Sequence, residues 1–354
     1  MIADQSDRLA QEVGERVESG QPFYVRGSGS KAGLGREVVA EPIDVTGHRG
    51  IVTFEPTELV MTARAGTTLA DVEAALAEAG QMLAFEPPRF DSRGTIGGAV
   101  ATGLSGPRRP FAGSTRDFVL GVRLINGRGE ALRFGGEVMK NVAGYDVSRL
   151  MAGAFGTLGL LLDVSLKVLP RPTVERTRVL EMERRAALAW MDRITTEPYP
   201  LSGLCHVDGQ LHVRLSGTEP GVVAAERDIG GEAAPDNEFW NALRDHDHAF
   251  FGGDAPLWRI AVPTGTPDLA LDARTAIDWG GTQRWLRTRA DANTIRDVAK
   301  YHGGHAQRFA PLAPPGDETP FHPLTTALMP VHQRLKAAFD PDGLINPGRM
   351  YAGL

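Results

Sequence analysis

The sequence predicts an α+β protein with two domains, and three observations support this fold class. At 354 residues, the chain is longer than the ~100–200 residues usual for one domain. Its first half mixes strand-like alternation with helix-like spacing of apolar residues. Pro170 and Pro172 then interrupt the pattern, and scattered helices and strands follow them. We therefore expect a domain boundary directly after Pro172.

Apolar spacing and alternation predict the regular elements in order. Amphipathic helices are expected over 4–19, from the capping residue Thr68 to Gly80, and over 330–339. Strands are expected over 22–26, 58–65, 118–125, 130–134 and 160–168. The last of these alternates cleanly between apolar and polar residues, which predicts one buried face and one solvent face.

The stretch over 86–117 does not fit either pattern. Gly, Pro and small polar residues dominate it, and its periodicity is weak. Connections of this length are uncommon in compact domains unless they have a function. We therefore expect a loop that takes part in binding.

Two glycine-rich stretches indicate the kind of ligand: RGSGSK at 26–31 and GTIGGAVATGLSG at 94–106. A diphosphate needs several backbone N–H donors close to its oxygens, and only residues with small side chains allow that approach. Either stretch alone is equally well explained as a tight turn, because short glycine motifs have a high false-positive rate. Together they favour a nucleotide diphosphate site.

A Rossmann-type dinucleotide site is the alternative. Gly27-Ser-Gly29-Ser-Lys-Ala32 satisfies the G-x-G-x-x-G/A pattern and follows a predicted strand. That pattern requires a helix directly after it and, ~20 positions on, an acidic residue at the end of a second strand. Ala32-Gly-Leu-Gly35 is a poor helix start, and no convincing second strand ends in an acidic residue. The alternative is therefore disfavoured.

The order of several long motifs resembles flavoproteins of the vanillyl-alcohol-oxidase type, and within them the E subunits of glycolate oxidase. These motifs are RGSGSK, EPPRFDSRGTIGGAVATGLSGPRRP, RDFVLGVRLINGRGE, VMKNVAGYDVSRLMAGAFGTLG and FDPDGLINPGRMY. The resemblance implies a PCMH-type two-subdomain FAD-binding domain over 1–172 and a smaller α+β cap domain over 173–325. It also implies that a C-terminal helix and tail over 326–354 return to the FAD domain.

The same resemblance implies the residues that bind FAD. Around the diphosphate it places Arg26, Gly27, Ser28, Gly29, Ser30 and Lys31. Along the ribityl chain and the other side of the diphosphate it places Thr95, Ile96, Gly97, Gly98, Ala101, Thr102 and Ser105, with Pro88 and Gly106 as further candidates. Asp117 is expected near the adenosine, Gly159 and Leu160 beside the adenine or isoalloxazine, and Asn346 at the flavin ring.

The sequence departs from the resembling family at two places. Relatives that attach FAD covalently have a His after the first loop, whereas Ser30 and Lys31 stand here, so non-covalent FAD is expected. Relatives that oxidise 2-hydroxy acids hold a metal with a GHxGDGN-like segment. The nearest counterpart, Tyr301-His-Gly-Gly-His305, lacks the acidic and Asn companions, and we expect no metal site. The histidines at 246, 248, 302 and 305 are interpreted as structural or surface residues.

Four polar residues keep more than one interpretation. Arg108 and Arg109 either neutralise the diphosphate, dock an acidic partner or brace the neighbouring prolines. Lys140 and Asn141 are the candidate catalytic residues, because they lie in a polar stretch where a flavin ring or a substrate carboxylate could be bound. The Lys140 cation would stabilise the reduced flavin ring. A buried hydrogen-bond network is the alternative for this pair. The five tryptophans are expected to pack a core or an interface.

Composition limits the partners. A net charge of −6 argues against nucleic acid, and a single cysteine, Cys205, excludes an iron–sulfur cluster held by this chain alone. The resemblance therefore implies two partners: a homologous catalytic FAD subunit and an iron–sulfur subunit of glycolate oxidase. Neither a secretory signal nor a bilayer-spanning stretch is evident. We expect a cytoplasmic protein that contacts the inner membrane only through its partners.

The expected activity belongs to a complex that oxidises glycolate, or a similar short 2-hydroxy acid, to glyoxylate, with electrons passed to the iron–sulfur partner and a quinone. Two alternatives stay open. The missing metal motif favours a non-catalytic flavin subunit for electron transfer or assembly. The second alternative is a stand-alone FAD-dependent dehydrogenase that acts on another alcohol or a sugar.

Overall fold

A computed structural model describes residues 3–90, 93–136, 145–235, 237–310 and 319–354. The chain divides into two compact units. Unit 1 comprises Met1–Leu104, Ser114–Pro170 and Pro311–Leu354, and unit 2 comprises Ser105–Gly113 and Arg171–Ala310. The domains expected over 1–172, 173–325 and 326–354 differ from this division in the segment Ser105–Gly113 and at the start of the C-terminal tail.

The helices are α1 Ser6–Ser19, α2 Leu69–Glu78, α3 Ile96–Thr102, α4 Arg109–Ala112, α5 Thr115–Phe118, α6 Tyr145–Leu150, α7 Arg184–Ile194, α8 Glu219–Ile229, α9 Glu238–Asp245, α10 Ala292–Tyr301 and α11 Met329–Phe339. Short 3₁₀ turns lie at Ala32–Leu34, Pro56–Glu58, Ala249–Phe251 and Trp279–Gly281. The three predicted helices correspond to α1, α2 and α11.

The strands are β1 Phe23–Arg26, β2 Glu41–Asp44, β3 Ile51–Glu55, β4 Val60–Arg64, β5 Gln81–Met82, β6 Val119–Ile125, β7 Ala131–Gly135, β8 Leu160–Lys167, β9 Leu169–Pro170, β10 Val174–Glu181, β11 Leu201–Val207, β12 Gln210–Gly217, β13 Glu232–Ala233, β14 Leu257–Ala261, β15 Arg274–Asp278, β16 Gln283–Arg287 and β17 His305–Arg308. The five predicted strands correspond to β1, β4, β6, β7 and β8.

Unit 1 contains a five-stranded antiparallel sheet in the order β3-β4-β8-β6-β7. Alternation along β8 predicted a polar solvent face, but Leu161 and Ser165 are only 7% and 5% exposed. The reason is topological, because β8 is the central strand and other parts of unit 1 cover both of its faces. Thr62 on β4 satisfies the buried Ser165 hydroxyl through a 2.8 Å hydrogen bond.

A second part of unit 1 brings the two ends of the chain together. Strands β1 and β2 pair in parallel, and Leu9 and Val13 of α1 pack with Phe23 of β1 and Ile345 of the tail. The Phe23 N–H donates to the Leu344 carbonyl at 2.9 Å, and the Asn346 N–H donates to the Phe23 carbonyl at 2.9 Å. The C-terminal tail therefore lies along β1, directly before the first glycine-rich loop.

Unit 2 is built on an eight-stranded antiparallel sheet in the order β13-β10-β12-β11-β15-β16-β14-β17. Met191 of α7 and Val222 of α8 pack on strands β11 and β12. Ile295 of α10 packs with Trp258 and Ile260 of β14. These helices cover one face of the sheet.

The segment Ser105–Gly113 belongs to unit 2 although its neighbours in sequence belong to unit 1. Arg108 is 6% exposed, forms an ion pair with Glu175, and donates to the Ser216 hydroxyl at 3.3 Å. The indole N–H of Trp279 donates to the Gly106 carbonyl at 3.0 Å. These contacts join residues that are far apart in the sequence. The local sequence therefore did not indicate that Ser105–Gly113 belongs to unit 2.

The stretch over 86–117 contains α3, α4 and α5 rather than the single loop expected. Two adjacent glycines make α3 a poor helix by propensity. Packing overrides that propensity, because a Cβ at Gly97 would lie 2.6 Å from the Ala65 Cβ on the neighbouring segment. The Thr95 hydroxyl caps the helix by accepting the Gly98 N–H at 3.2 Å.

Candidate cofactor site

Unit 1 contains a cavity of about 360 Å³ that both glycine-rich stretches line. This volume falls within the ~300–1,000 Å³ typical of small-molecule sites. Eleven of the residues predicted from the sequence line it: Arg26, Gly27, Ser28, Gly29, Ser30, Lys31, Thr95, Gly98, Ala101, Thr102 and Asn346. The structure thus brings together two stretches that are distant in the sequence.

The first loop presents backbone donors to this cavity. Among the described residues, nothing accepts a hydrogen bond from the N–H groups of Ser28, Gly29 and Ser30. Gly29 has φ +81°, a conformation that favours glycine, and its carbonyl accepts the Ala32 N–H at 3.0 Å. Consecutive N–H groups without internal acceptors form the kind of concave site that binds phosphate oxygens.

Two hydroxyl groups and a lysine accompany these donors. The Ser28 hydroxyl donates to the Ser30 hydroxyl at 3.2 Å, and the Lys31 Nζ lies 3.4 Å from the same Ser30 oxygen. Lys31 is 7% exposed, and its Nζ lies 5.3 Å from the centroid of the Phe90 ring. A buried cation therefore stands at the end of the donor loop.

The second stretch contributes one face of α3. Gly98 and Thr102 lie one turn apart on that face, and the Thr102 hydroxyl donates to the Gly98 carbonyl at 2.8 Å. A Cβ at Gly98 would meet a single neighbouring atom within 4 Å, the Thr95 hydroxyl oxygen at 3.2 Å. Ile96 and Gly97 lie on the opposite, buried face. Gly98 therefore leaves open space on the cavity side of the helix.

Asn346 forms one end of the cavity. Its Oδ1 accepts the Val25 N–H at 2.8 Å, and its Nδ2 donates to the Phe155 carbonyl at 2.7 Å. Asn346 has φ +46°, which Asn tolerates better than most residues, and it is 4% exposed. Its amide is thus engaged by the backbone of two other segments.

Arg349 lines the same cavity and was not among the predicted residues. Its Nη1 donates to the Arg36 carbonyl at 2.6 Å, and its Nη2 donates to the Ala32 carbonyl at 2.6 Å. Burial lowers the pKa of its guanidinium. Within the described ranges, Arg349 forms hydrogen bonds with carbonyl groups and no ion pair with a carboxylate. Its positive charge therefore has no carboxylate counterion in this part of the structure.

Other lining residues that sequence reasoning missed are Tyr24, Val25, Ala32, Gly33, Glu37, Val38 and Phe155. Several of them directly precede or follow the RGSGSK loop, so the position of that loop was the available signal. Phe155 has φ +53° in a turn at 151–158, and nothing in its local sequence indicates a cavity.

Several predicted residues lie away from the cavity. The Asp117 carboxylate accepts the Ser114 N–H at 2.8 Å and caps α5. Pro88 and Leu160 are buried, and a Cβ at Gly159 would lie 2.9 Å from the Ile125 carbonyl. Ser105 and Gly106 belong to unit 2. The catalytic candidates Lys140 and Asn141 lie outside the described residues.

The histidines that were interpreted as structural lie in unit 2. The His246 ring stacks on Phe251 with centroids 4.0 Å apart, and the His248 Nδ1 accepts the Phe250 N–H at 3.2 Å. His302 follows α10, and His305 begins β17. In the part of the chain that the structure describes, no group of three or more His, Cys, Asp or Glu residues is placed to hold a metal ion.

Among the helices in the described ranges, none is both long enough and apolar enough to cross a bilayer.

Comparison with known proteins identifies similar families. The model of the FAD binding domain family matches residues 1–135. The glycolate oxidase subunit GlcE of Escherichia coli (strain K12) is 48% identical over 351 residues, which cover 99% of this chain and 99% of that protein. The D-2-hydroxyglutarate dehydrogenase of Xanthomonas citri pv. viticola is 31% identical over 173 residues, covering 47% of this chain and 36% of the relative.

A solved structure of alkyldihydroxyacetonephosphate synthase has the same fold. It superposes with a TM-score of 0.68 at 14% identity and covers 98% of this chain and 75% of that one. Together with the matched FAD-binding domain, this likeness confirms the predicted α+β fold class, the PCMH-type FAD-binding fold.

Proposed function

Because this chain belongs to the family of the glycolate oxidase subunit GlcE, whose members are FAD-dependent oxidoreductases acting on CH–OH donors, we propose that it is the FAD-binding subunit of a complex that oxidises glycolate to glyoxylate. One observation carries the proposal most directly. The N–H groups of Ser28, Gly29 and Ser30 line a cavity beside α3, and no acceptor among the described residues engages them.

The residues of the cavity fit the FAD diphosphate. The unpaired N–H groups supply donors for its oxygens, and Lys31 and Arg349 supply two positive charges that offset its negative charge. Gly98 leaves its own position on the cavity side of α3 free of side-chain atoms. The first loop and α3 would then hold the diphosphate from two directions.

When bound, FAD supplies a centre that accepts a hydride from a CH–OH carbon and releases electrons singly to an iron–sulfur partner. The chain's own residues bind and orient that group. With one cysteine in the sequence, the chain has too few thiolates for a cluster. We therefore include an iron–sulfur subunit and a homologous catalytic FAD subunit in the proposed complex, and any membrane contact of this cytoplasmic chain would come through them.

A flavin subunit without catalytic activity of its own is the second candidate. It is favoured because His302 and His305 lack the acidic and Asn companions of a metal segment. It is also favoured because the described residues contain no metal-binding group of side chains. In that case glycolate would be oxidised on the homologous partner, and this chain would carry electrons or support assembly.

Anaerobic mixing with glycolate distinguishes the two candidates. The isolated FAD-loaded chain and the assembled complex are each mixed with glycolate while the visible flavin absorbance is followed. Bleaching of the isolated chain assigns oxidation to this subunit. Bleaching of the complex alone supports the second candidate, and bleaching of neither contradicts the proposed glycolate oxidation.

We further propose that FAD is held without a covalent bond, since Ser30 and Lys31 occupy the place where covalent relatives have a histidine. Acid precipitation of the loaded chain should release all of the yellow colour into the supernatant. Flavin that stays with the precipitated protein would contradict this proposal.

A further inference from the structure

In unit 2, two guanidinium groups lie over the indole ring of Trp279. The Cζ of Arg109 is 4.3 Å from the ring centroid, and the Cζ of Arg259 is 5.1 Å from it. Arg109 comes from α4 and Arg259 from β14. Trp279 is 4% exposed, so its ring is a fixed part of the core rather than a mobile surface group.

The backbone of Trp279 is held in a rare conformation. Its φ is +56°, which is unusual for a bulky side chain, and Gly280 and Gly281 follow with φ +61° and +98°. The Asp278 carboxylate accepts the Trp279 N–H at 2.7 Å, while the indole N–H donates to the Gly106 carbonyl at 3.0 Å. Backbone strain of this kind is concentrated at binding and active sites.

Arg259 has unused hydrogen-bonding capacity. Its Nε donates to the Gln283 side-chain oxygen at 2.7 Å. In the described part of the chain, its two terminal nitrogens have no acceptor and it forms no ion pair. The side chain is half-buried, so solvent reaches it. Burial, followed by the positive charge of Arg109, lowers the pKa of its guanidinium to about 10.

Arg108, the neighbour of Arg109 in the sequence, has a different environment. Arg108 is buried in its ion pair with Glu175 and braces the segment against the sheet. Arg108 and Arg109, for which three interpretations were left open, therefore have different surroundings, and Arg109 is the one beside Trp279.

We propose that Arg259, assisted by the charge of Arg109, binds the carboxylate of a small organic acid beside Trp279. The free Nη1 and Nη2 edge of a guanidinium matches the two oxygens of a carboxylate. A carboxylate held by Arg259 beside the Trp279 ring would also lie near the guanidinium of Arg109, which faces the same ring. The site goes beyond the proposed FAD site, and the choice of glycolate as its probe rests on the proposed function.

Calorimetric titration of the full chain with glycolate tests this site. Ethylene glycol, which has the same carbon number but no carboxylate, is the matched ligand control. Arg274→Met is the matched protein control, because Arg274 also lies over an aromatic ring, Phe250 at 5.3 Å, but is ion-paired with Asp208 at 2.7 Å. We expect Arg259→Met to weaken glycolate binding by about tenfold or more, and Arg274→Met to leave it unchanged.

Arg259→Lys keeps the positive charge but loses the paired guanidinium N–H donors. It should weaken glycolate binding by about threefold to tenfold. This variant and the two ligands on the unmodified chain serve as the test if Arg259→Met does not fold. Equal glycolate affinity in the unmodified chain and the folded Arg259 variants would overturn the proposal. Equal affinities for glycolate and ethylene glycol would also overturn the proposal. Inorganic phosphate that binds as tightly as glycolate would do so as well.

The calorimetric signal does not depend on FAD. A chain that takes up no flavin but loses glycolate binding on Arg259→Met would contradict the proposed function and support this site. A yellow chain whose glycolate affinity is unaffected by Arg259→Met would support FAD binding and contradict this site.

Discussion

The side chain of Asn346 donates a 2.7 Å hydrogen bond to the carbonyl oxygen of Phe155, which lies 191 positions earlier in the chain. Because its Oδ1 also accepts the Val25 N–H, one amide joins the tail, β1 and a distant turn at the end of the cavity. The sequence predicted that Asn346 contacts the flavin ring. Its bonded amide favours a positioning role for this residue in the cavity wall.

Asn346→Asp removes the donor to Phe155 while keeping the acceptor for Val25. A carboxylate would then face a carbonyl oxygen in a buried place, so we expect a loss of about 1–3 kcal/mol in the free energy of unfolding. Urea denaturation measures this loss. Asn293→Asp, at an exposed position in the first turn of α10, is the matched control and should be neutral. Equal losses in both variants would show that the Asn346 amide does not hold the cavity together.

Gly98→Val tests the open face of α3. Its Cβ would crowd the Thr95 hydroxyl at 3.2 Å, and its methyl groups would enter the space left for the diphosphate. We expect a folded protein that loses FAD on gel filtration. Gly14→Val is the control, because a Cβ at Gly14 in α1 meets nothing within 4 Å. A folded Gly98 variant that elutes fully yellow would contradict the placement of the diphosphate.

Arg349→Met tests the charge of the C-terminal tail. The half-buried guanidinium has no carboxylate counterion among the described residues, so a nearby diphosphate should use its charge. We expect FAD affinity to fall by about tenfold, or about 1.4 kcal/mol. Fluorescence titration with FAD measures the change, and Arg334→Met on the exposed side of α11 should have no effect. If Arg349→Met leaves the FAD affinity as unchanged as Arg334→Met does, Arg349 has no role at the cofactor.

His246 should make the stability of unit 2 depend on pH. Burial, with added repulsion from Arg259 and Arg287, lowers the pKa of His246 to about 3. The unfolded histidine has a pKa of about 6.5 and binds a proton that the folded state rejects, so stability falls as the pH drops below about 6.5. The full contribution is present above that value.

His246→Asn removes this titration, and Asn tolerates the φ of +64° at this position. The stability difference between the unmodified chain and the variant should decrease by up to about 1.4 kcal/mol for each pH unit below about 6. Urea unfolding at about pH 7.5 and about pH 5 measures it. Parallel pH dependences of the two proteins would show that His246 is not the group responsible.

Local signals predicted much of unit 1 correctly. Strand β6 was readable as a run of mostly apolar residues, and β8 was readable from its alternation although its second face is covered as well. Helix α2 was readable because Thr68 caps it. The RGSGSK loop was recognisable because a diphosphate site needs small residues in consecutive positions. The family, the FAD cofactor and the fold class followed from these motifs and are confirmed.

The remaining features depend on contacts between distant residues. Helix α3 exists because Gly97 packs on Ala65, which propensity does not register. Arg349 belongs to the cavity because the tail pairs with β1, more than 300 positions away in sequence. The segment at 105–113 belongs to unit 2 because of the Arg108–Glu175 ion pair and the Trp279–Gly106 hydrogen bond. None of these contacts produces a recognisable pattern in the sequence around the residues involved.

The central claim is that bare backbone amides from the RGSGSK loop, together with α3, hold the diphosphate of FAD. Equilibrium titration of the purified, folded apo-chain with FAD, followed by flavin fluorescence and absorbance, tests it most directly. We predict saturable uptake of one FAD per chain and a yellow protein after gel filtration. A correctly folded chain that stays colourless at saturating FAD would contradict the claim.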